Sequence, residues 1–575
     1  MSEPIVGIDL GTTNSELAVV LDGKLQVVPI HGNPIMPSCV GLDPSGRLIV
    51  GRTARNQLIA APEATVMSIK RRMGESPKVR VGNREFSPEE ISSFILRELK
   101  QEGERQLGFP IRKAVITVPA YFNERQRKAT QDAGELAGLE VVRILNEPTA
   151  AALAYGAEEA AGGTLLIYDL GGGTFDLSVV VVESGIVEVK SSHGDTHLGG
   201  DDFDQLLANQ AAAQFKKAYG VDLGKNLKAL RRLKVAMEAA KCRLSDEPFV
   251  MVREEFLDGK HHLELEVLRA DYEEMISPLL EKTLACLHHA LSDAKLTPRD
   301  VSKVMLVGGA TRTPLVHRLL QERLQLEPRF EIDPDLIVAM GAAIQASVLA
   351  GQRRHSILVD ITPHTLSTGA MDFESDFPRL VCVPIIPRNT PLPAGKSELF
   401  QTMYDGQETV EVSAYQGEAH YPEENTLVGK FKVNGLADVS AGNKIVIQFD
   451  LDLNGMLKAT AKEKATGLSR TVTMDTRGKS VLDLEQARRN VAALVGTESH
   501  AHAPADPHES HSLLATAKDL RKRAEVLLAK NLNENDAVEI RRLLQESSVA
   551  IGERLWQKLS AINDSLADLL FYLED

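Results

Sequence analysis

The chain is poor in cysteine, with four in 575 residues. The four are Cys39, Cys242, Cys286 and Cys382, and no two of them form a C-x-x-C pair. Paired cysteines are the usual signature of a zinc site or of a disulfide framework. The sequence therefore predicts neither kind of site, and we expect the protein to work in a reducing compartment.

Basic charge and long apolar runs are scarce as well. Lys and Arg number 65 against 80 Asp and Glu, which leaves a net charge of −15, whereas a nucleic-acid-binding protein needs a basic surface to neutralise phosphates. No apolar run approaches the roughly 20 residues of a membrane-spanning helix, and the N-terminus lacks the pattern of a secretory signal. We therefore expect a soluble cytoplasmic protein that binds neither nucleic acid nor membrane.

The first 352 residues have the patterning of an α/β protein. Short β-rich runs at 114–118 and 303–309 predict strands, and the spacing of apolar residues over 201–219 predicts a helix. A chain of this length exceeds the size of one hydrophobic core, so further domains are expected after this region.

The remaining sequence changes its period twice. Residues 353–361 break the α/β pattern and are predicted to be a linker, and from 362 to 480 the hydrophobic period is two, as in an antiparallel β domain. Residues 481–575 are helical in pattern and begin with Asp483 and Gln486 at the spacing of a capping box. Four histidines between 500 and 511 allow a metal site, but the two prolines among them favour a solvated linker.

One hairpin of the β region can be predicted in detail. Its two strands carry apolar residues at alternate positions, namely Ile445, Ile447, Phe449, Leu451 and Leu453, then Leu457, Ala459 and Ala461. A two-residue turn at Asn454 and Gly455 would put the two sets on opposite faces. We therefore predict a bulged three-residue loop, 454–456, which pairs Leu453 with Leu457 and keeps one apolar face.

Two distant stretches carry nearly the same motif, GIDLGTTNSELAVV at 7–20 and IYDLGGGTFDLSVV at 167–180. Each predicts a strand, a tight Gly/Thr turn and a second strand. Glycine lets backbone N–H groups point at a phosphate, threonine adds hydroxyl donors, and an adjacent Asp suits a Mg²⁺ ion held through water. We predict two related half-domains with a magnesium nucleotide between them. A third glycine turn at 306–314 supports this prediction, and the sequence has no G-x-x-x-x-G-K-[ST] P-loop.

Longer motifs resemble the DnaK-type heat-shock chaperones of the actin and sugar-kinase superfamily. They are GIDLGTTNS (7–15), AVITVPAYFN (114–123), GLEVVRILNEPTAAALAYG (138–156), YDLGGGTFDLS (168–178), GDTHLGGDDFD (194–204) and VGGATRTP (307–314). The resemblance implies a multidomain chaperone: a two-lobed actin-like α/β ATPase domain (1–352), a linker (353–361), an antiparallel β-sandwich that binds peptides (362–480) and a short helical lid (481–575). Such a protein would bind and release unfolded polypeptides during protein folding and the stress response, with ATP hydrolysis stimulated by a J-domain co-chaperone.

The resemblance also assigns the residues of an ATPase site. Catalytic roles fall to Asp9, Lys70, Glu147, Asp169 and Thr174, and Asp9 and Asp169 would hold Mg²⁺ through water. Contacts to ATP or ADP fall to Gly11, Thr12, Thr13, Asn14, Gly171, Gly172, Gly173, Asp176, Glu238, Lys241, Ser245, Gly308, Gly309, Arg312 and Asp335. K⁺ is a further candidate cation. Local sequence alone favours a solvated lysine at position 70 and an exposed helix face carrying Glu238, Lys241 and Ser245.

Two more residue sets follow from the resemblance. Met371, Phe400, Met403, Val410 and Val412 would contact a bound peptide, although Phe400 and Val412 are equally well explained as core residues. Coupling between the two sites falls to Pro119, Arg127, Arg143, Asn146, Ile357, Leu358, Val359 and Asp360, of which Arg143, Asn146 and Asp360 match positions where J-domain proteins act. An exchange factor is left open because the hairpin near 249–267 is short.

Several departures resemble the short-lidded bacterial members of the HscC type. The segment 70–86 is short, Thr368 replaces a usual aliphatic pocket residue, and the C-terminal helical region is short for a full lid. We therefore expect fast peptide release in both nucleotide states. Rival functions are a small-molecule kinase and an actin-like scaffold of the same superfamily, but neither explains 362–480. A degenerate ATPase used only for binding is disfavoured by the intact Asp9, Lys70, Glu147 and Asp169.

Overall fold

The computed structural model describes residues 4–158, 162–330, 332–352, 357–373, 377–473 and 483–495, with scattered helical residues between 517 and 566. The chain forms two compact units, Met1–Val491 and Ala492–Asp575. The histidine-rich segment 500–511 and most of the predicted lid lie outside the described residues. No helix in the described ranges combines the length and the apolar content that crossing a membrane requires.

Residues 4–352, here called the α/β part, alternate strands and helices. The strands are β1 Ile5–Leu10, β2 Asn14–Leu21, β3 Lys24–Val28, β4 Met36–Pro37, β5 Cys39–Leu42, β6 Leu48–Val50, β7 Thr65–Met67, β8 Val79–Val81, β9 Arg84–Phe86, β10 Lys113–Val118, β11 Glu140–Asn146, β12 Gly163–Leu170, β13 Phe175–Glu183, β14 Ile186–Asp195, β15 Phe249–Glu254, β16 Leu263–Leu268 and β17 Lys303–Val307. The helices are α1 Arg52–Gln57, α2 Pro88–Leu107, α3 Glu124–Leu136, α4 Glu147–Glu158, α5 Gly200–Tyr219, α6 Leu227–Arg243, α7 Arg269–Asp293, α8 Pro314–Leu324 and α9 Ile337–Leu349. The two predicted strands and the predicted helix 201–219 are confirmed, except that β17 ends at Val307.

The two large sheets of this part share one arrangement. The first has the strand order β11-β10-β1-β2-β3, and the second has β17-β12-β13-β14 followed by a short strand β18, Ile357–Val359. In each sheet the strand that opens a repeated motif, β1 or β12, pairs in parallel with a later strand and antiparallel with the next strand in sequence. The repeated sequence motif thus corresponds to a repeated supersecondary unit.

Helices α4 and α9 pack closely because α9 carries small residues where they cross. A Cβ placed on Gly341 of α9 would lie 1.7 Å from the carbonyl oxygen of Ala150 in α4, and a Cβ on Gly7 of β1 would lie 2.1 Å from the backbone nitrogen of Ala343. Backbone atoms cannot move aside as the end of a flexible side chain can. Glycine at these positions therefore lets α9 contact both α4 and the first sheet.

Substituting Gly341 by alanine is expected to lower the thermal unfolding temperature of the α/β part by several degrees. Overpacking costs about 1–3 kcal/mol, and more where backbone must shift. The matched control is Gly156→Ala in α4, where the added Cβ would meet Val187 at an ordinary 3.4 Å and the gain in helix propensity favours stability. Equal unfolding temperatures for Gly341→Ala and the unmodified protein, measured by calorimetry, would contradict this account of the helix crossing.

The β part, residues 362–473, follows β18 in the chain and contains two antiparallel sheets of four strands each. Its strands are β19 Leu366–Asp372, β20 Arg379–Ile386, β21 Ala394–Gln401, β22 Thr409–Gln416, β23 Thr426–Asn434, β24 Lys444–Leu451, β25 Leu457–Glu463 and β26 Ser469–Thr473. The strand orders are β20-β19-β22-β23 and β21-β24-β25-β26. One hydrophobic core is built from both sheets, for example from Val412 and Phe431 of the first and Phe449 and Ala459 of the second. The predicted antiparallel β region is therefore a two-sheet sandwich.

The predicted three-residue loop between β24 and β25 is wrong in its register. Leu451, and not Leu453, pairs with Leu457, so that the loop is 452–456 and Leu453 is 47% exposed. Asp452 organises this loop, because its Oδ1 accepts hydrogen bonds from the backbone N–H groups of Asn454 at 2.8 Å and Met456 at 2.9 Å. An odd number of loop residues still keeps the apolar residues of both strands on one face.

The helix after the β part begins where the sequence predicts. In α10, Leu484–Val495, Asp483 Oδ1 accepts from the N–H groups of Glu485 at 3.0 Å and Gln486 at 3.1 Å, as an N-cap does. The reciprocal half of the predicted capping box is absent, since the Gln486 side chain instead donates to Asn490 Oδ1 at 3.0 Å. Asn490 in turn donates to Glu90 Oε1 of α2 at 2.7 Å and so joins α10 to the α/β part.

Candidate functional site

The turns of the two repeated hairpins meet in a cleft of about 330 Å³. Residues 11–14 of the first hairpin and Gly171, Gly172 and Thr174 of the second line it. A Cβ on Gly172 would lie 1.9 Å from Thr13 Oγ1, so the two turns are in contact and a larger residue would have to displace the Thr13 side chain. The cleft is therefore bounded on two sides by the Gly/Thr turns that the sequence predicts to bind phosphate.

Most of the predicted ATP-site residues line this one cleft. They are Asp9, Gly11, Thr12, Thr13, Asn14, Lys70, Glu147, Asp169, Gly171, Gly172, Thr174, Glu238, Lys241, Gly308, Gly309, Arg312 and Asp335. They come from both sheets, from α4 and α6, and from the glycine turn after β17. Residues separated by up to 326 positions in the sequence, from Asp9 to Asp335, are thus brought to one place.

Three predicted residues lie outside the lining. Gly173 sits against the first turn, where a Cβ would lie 2.6 Å from Thr12 Cγ2, and Asp176 is buried behind the cleft with its carboxylate accepting the N–H of Tyr121 at 3.1 Å. Ser245 does not share a helix face with Glu238 and Lys241, because α6 ends at Arg243 and Ser245 lies in the turn that follows. That part of the helix-face prediction is wrong.

Lys70 and Glu147 form an ion pair at the centre of the cleft. Lys70 comes from a short 3₁₀ turn, Ile69–Arg72, and Glu147 is the first residue of α4; their exposed fractions are 4% and 6%. Burial alone would lower the pKa of Lys70, but the carboxylates of Glu147, Asp9 and Asp169 raise it above its usual value. Lys70 is thus a buried cation among carboxylates and not the solvated lysine that its basic neighbours suggest.

The three carboxylates around Lys70, those of Asp9, Glu147 and Asp169, have raised pKa values because burial disfavours their charged form. Burial raises the pKa of Asp169 well above its usual value, and nearby Glu147, Asp176 and Asp9 raise it further. Burial also raises the pKa of Asp9, although the positive charge of Lys70 opposes this shift. The Oδ1 of Asp9 accepts a hydrogen bond from Thr117 Oγ1 at 2.7 Å. One lysine is too little positive charge for so many buried carboxylates, so the donor set fits an additional cation such as Mg²⁺.

The described side chains alone offer few direct ligands for a metal ion. Within the described ranges, no group of three or more His, Cys, Asp or Glu side chains is placed to hold a metal ion by itself. Mg²⁺ usually keeps several water molecules and takes one or two carboxylates together with phosphate oxygens. The residues present therefore fit a hydrated Mg²⁺ that arrives with a nucleotide.

Sequence reasoning missed ten lining residues. They are Glu16, Arg55, Gly200, Asp201, Asp204, Cys242, Val307, Ala310, Pro334 and Val338. Arg55 of α1 pairs with Glu238 of α6 at 2.6 Å, and Lys241 pairs with Asp204 at 2.9 Å. One signal existed for Glu16, the single charged residue of β2, which pairs in register with Asp9. A second existed for Gly200, Asp201, Asp204, Val307 and Ala310, which lie inside the motifs 194–204 and 307–314. The others meet the cleft through tertiary packing that no local pattern encodes.

A hydrogen-bonded relay leads from the cleft to the segment that precedes the β part. Asn146, next to Glu147 in sequence, accepts from Arg127 at 2.5 Å and donates to both oxygens of Asp360 at 3.2 and 3.1 Å. Arg127 also donates to the carbonyl oxygens of Ala120 and Phe122 in the turn that follows Pro119. The predicted coupling residues Pro119, Arg127, Asn146 and Asp360 are thus in one network.

Charge is concentrated around Asp360. Burial raises its pKa, and Arg127 and Arg143 oppose this shift. Burial lowers the pKa of both arginines, and Asp360 opposes that shift in turn. The two cations and the carboxylate therefore stabilise one another in an apolar setting.

The predicted linker residues Ile357, Leu358 and Val359 are strand β18. They pair in parallel with Ile186–Glu188 of β14, and the N–H of Ile357 donates to Gly185 O at 2.8 Å. The Ile357 side chain is 62% exposed, while Leu358 is partly buried. The segment thus extends the second sheet of the α/β part as an edge strand. Residues 353–356 of the predicted linker lie outside the described residues.

Direct hydrogen bonds also join the α/β part to the β part. The N–H of Glu124 donates to Gln416 at 3.2 Å, Glu124 Oε1 accepts from the N–H of Leu457 at 2.9 Å, and the N–H of Ile144 donates to Asn454 at 3.2 Å. Through these hydrogen bonds and the pairing of β18 with β14, the β part is docked on the α/β part.

The predicted peptide contacts divide between surface and core. Met371 and Met403 are 37% and 52% exposed, Phe400 and Val410 are partly buried, and Val412 is fully buried in the sandwich core. Thr368 is also buried, and its hydroxyl donates to Ser413 O at 2.9 Å, which satisfies the polar group. Two further exposed apolar side chains of the β part were not predicted, namely Leu380 of β20 and Leu399 of β21.

The sequence matches a family model and several named proteins over nearly its whole length. The family model described as "Hsp70 protein" matches residues 5–79 and 75–569. The proteins named "Chaperone protein DnaK" from Thermotoga petrophila and Thermotoga maritima are each 41% identical over 594 residues, which covers 96% of this chain and 98% of theirs. The protein of the same name from Thermotoga neapolitana is 41% identical over 601 residues with the same coverage. The chain therefore belongs to the Hsp70 family of ATP-dependent chaperones, which are ATPases.

Proposed function

We propose that residues 1–352 hydrolyse ATP in the cleft described above and that this hydrolysis controls peptide binding by residues 362–480 through the segment 353–361. The observation that carries the proposal is the relay from Lys70 and Glu147 to Asn146 and Asp360. It joins the cleft to the segment that directly precedes the β part. Residues 481–575 would form the short helical lid.

The cleft supports hydrolysis by positioning and charge stabilisation. Bound Mg²⁺ would neutralise phosphate charge, with Asp9 and Asp169 holding its water shell. Lys70 would stabilise the charge that develops on the transferred phosphoryl group, and Glu147 and Thr174 would orient the attacking water. The Gly/Thr turns would donate N–H groups to the phosphates, and Glu238, Lys241, Arg312 and Asp335 would contact the nucleoside. K⁺ remains a candidate for the residual negative charge.

Nucleotide binding would be coupled to the β part because a phosphate and Glu147 compete for the ammonium group of Lys70. A nucleotide phosphate that attracts the ammonium group weakens the Lys70–Glu147 pair and so alters the position of Glu147. Since Asn146 precedes Glu147 directly, its bonds to Arg127 and Asp360 respond to the same displacement. The linker strand β18 and the docked β part are then biased by the state of the nucleotide.

The β part is proposed to bind extended apolar segments of unfolded polypeptides. The partly buried Val410 would form the pocket for one side chain, and the exposed Met371 and Met403 would cover the peptide, since methionine adapts to varied surfaces. A J-domain co-chaperone acting near Arg143, Asn146 and Asp360 would stimulate hydrolysis, and the exchange factor is left open. We propose a cytoplasmic location for this activity.

Substituting Val410 by phenylalanine is expected to weaken binding of an apolar heptapeptide by at least about tenfold, because the larger ring fills the pocket. Basal ATP turnover should stay within twofold, since residue 410 lies outside the cleft. Fluorescence anisotropy with a labelled heptapeptide measures the first quantity and phosphate release the second. Val439→Phe, at a 42% exposed position of the same part, is the control.

The same assay separates the rival functions. We expect phosphate release to rise on addition of the heptapeptide and of a J-domain protein, and no phosphate transfer to sugars. Transfer to a small molecule without any peptide response would favour a kinase, and ATP-dependent sedimentation without peptide binding would favour a scaffold. Wild-type peptide affinity in Val410→Phe would contradict the proposed pocket.

A further inference from the structure

A row of rings crosses the junction between the α/β part and the β part. The row, here called the histidine joint, consists of His364, Tyr121, His193 and His289, of which only His364 belongs to the β part. The Tyr121 ring lies edge-on to His364 with centroids 4.4 Å apart, and it stacks on His193 at 6.1 Å. The His289 ring follows at 5.5 Å from His193. Docking of the β part therefore places one histidine of each part against the same tyrosine.

The carboxylate of Asp293, at the end of α7, joins the histidine joint to the β part. Its Oδ2 lies 2.9 Å from His193 Nε2 and accepts from Asn389 Nδ2 at 3.0 Å, and its Oδ1 accepts from Arg388 at 2.9 Å. One carboxylate is thus shared between a histidine of its own part and two side chains of the other. His193 is 7% exposed in this arrangement.

His364 is held by the backbone of the α/β part. Its Nε2 lies 3.1 Å from the carbonyl oxygen of Tyr121. A carbonyl oxygen only accepts hydrogen bonds, so Nε2 carries the proton of the neutral ring. A second proton would have to enter at Nδ1.

The surroundings disfavour a second proton on either ring. The titratable and charged groups facing His193 are Tyr121, His289, Asp293 and Arg388, and those facing His364 are Tyr121, Arg127, His193 and Glu418. Burial lowers the pKa of His193, with Arg388 and His289 adding to this and Asp293 opposing it. Burial likewise lowers the pKa of His364, and the Tyr121 carbonyl and Glu418 oppose the shift only in part. When the β part is docked, both rings therefore take up a second proton less readily than a histidine in water does.

We propose that the histidine joint makes docking of the β part on the α/β part dependent on pH, so that protons separate the two parts. This inference rests on the proposed coupling between nucleotide and β part, and it adds a control that is independent of the nucleotide. His193 of the joint lies on β14, the strand that also pairs with the linker strand β18, so protonation of this residue acts close to where the two parts are connected.

The direction follows from proton linkage. Separation removes Arg388 and Asn389 from Asp293 beside His193, and it removes His364 from the Tyr121 carbonyl oxygen. Both pKa values then rise back toward about 6.5, so the undocked state binds more protons below that pH. Docking is therefore undiminished above about pH 6.5 and is weakened as the pH falls below it. At pH 5.5 the docking equilibrium constant is expected to fall by up to about tenfold for each histidine.

The test is amide hydrogen exchange of residues 357–359 in the full-length protein with Mg-ATP, at pH 5.5, 6.5 and 7.5, expressed as protection factors so that the intrinsic pH effect is removed. Protection in the unmodified protein is expected to fall about tenfold or more from pH 7.5 to 5.5. The double variant His193→Asn, His364→Gln should show a change of less than about twofold. His262→Gln, an exposed histidine outside the joint, should keep the original pH dependence.

Each outcome decides the inference. Unchanged pH dependence in the double variant, or flat protection in the unmodified protein, would overturn it. If the double variant fails to dock at any pH, the single variants decide, since each should lose about half of the logarithmic change. Protection that does not respond to ATP at pH 7.5 would overturn the proposed coupling itself, whereas protection that responds to ATP and not to pH would overturn this inference alone.

Discussion

Replacing Lys70 by alanine is expected to lower the rate of ATP hydrolysis by at least about a hundredfold while ATP still binds. The ammonium group is 4% exposed and lies among Glu147, Asp9 and Asp169, so no other group can take its place without moving. A preorganised charge at a developing oxyanion is worth roughly 10²–10³ in rate. Removing it also leaves the carboxylates without their cation, which repels the triphosphate further.

Binding is expected to survive because most of its contacts are elsewhere. The Gly/Thr turns and the side chains of Glu238, Lys241 and Arg312 line the cleft independently of Lys70. Single-turnover hydrolysis and equilibrium binding of ATP measure the two effects separately, and retained binding also reports that the fold is intact. The control is Arg72→Ala, since Arg72 lies in the same 3₁₀ turn but pairs with Glu75 at 2.9 Å outside the cleft. A Lys70→Ala rate within threefold of the original would remove Lys70 from the catalytic machinery.

The repeated hairpins could be predicted from sequence because their signal is local. A strand, a Gly/Thr turn and a second strand lie within 14 residues, and alternation fixes which side chains share a face. The sequence therefore predicts the placement of Asp9 and Asp169 beside facing turns, which the cleft confirms. The predicted register of the hairpin formed by β24 and β25 is wrong for the opposite reason. Asp452 closes a five-residue loop through side-chain hydrogen bonds, which the alternation of apolar residues does not encode.

Residues whose environment is made by distant segments could not be predicted in this way. Lys70 has basic neighbours in sequence, and only packing against α4 buries it beside Glu147. The same holds for His193 and His364, which are 171 positions apart and meet only because the β part docks on Tyr121. Local pattern gives the secondary structure of such a residue, whereas its charge state depends on the tertiary neighbours.

Substituting Asp360 by asparagine is expected to abolish most of the ATP-driven control of the β part. In the docked arrangement Asp360 accepts from Asn146 and Thr149 and is the carboxylate that faces Arg127 and Arg143. Leaving buried charges without their partner costs about 3–5 kcal/mol, which corresponds to a factor of a hundred or more in the docking equilibrium. The asparagine amide also presents N–H groups to the Nδ2 of Asn146, where an acceptor is needed.

The measurement is the rate at which ATP releases a prebound fluorescent heptapeptide. We expect ATP to accelerate release by roughly tenfold in the unmodified protein, since the short lid already allows fast release without ATP, and by less than about twofold in Asp360→Asn. ATP is kept saturating, because weaker docking also lowers the affinity for ATP through linkage. The matched control is Asp438→Asn, which removes an exposed carboxylate from the β part. Since the substitution changes one side chain of the relay and none of the cleft, full ATP-driven release in Asp360→Asn would mean that the signal between the two parts travels by a route other than Asn146 and Asp360.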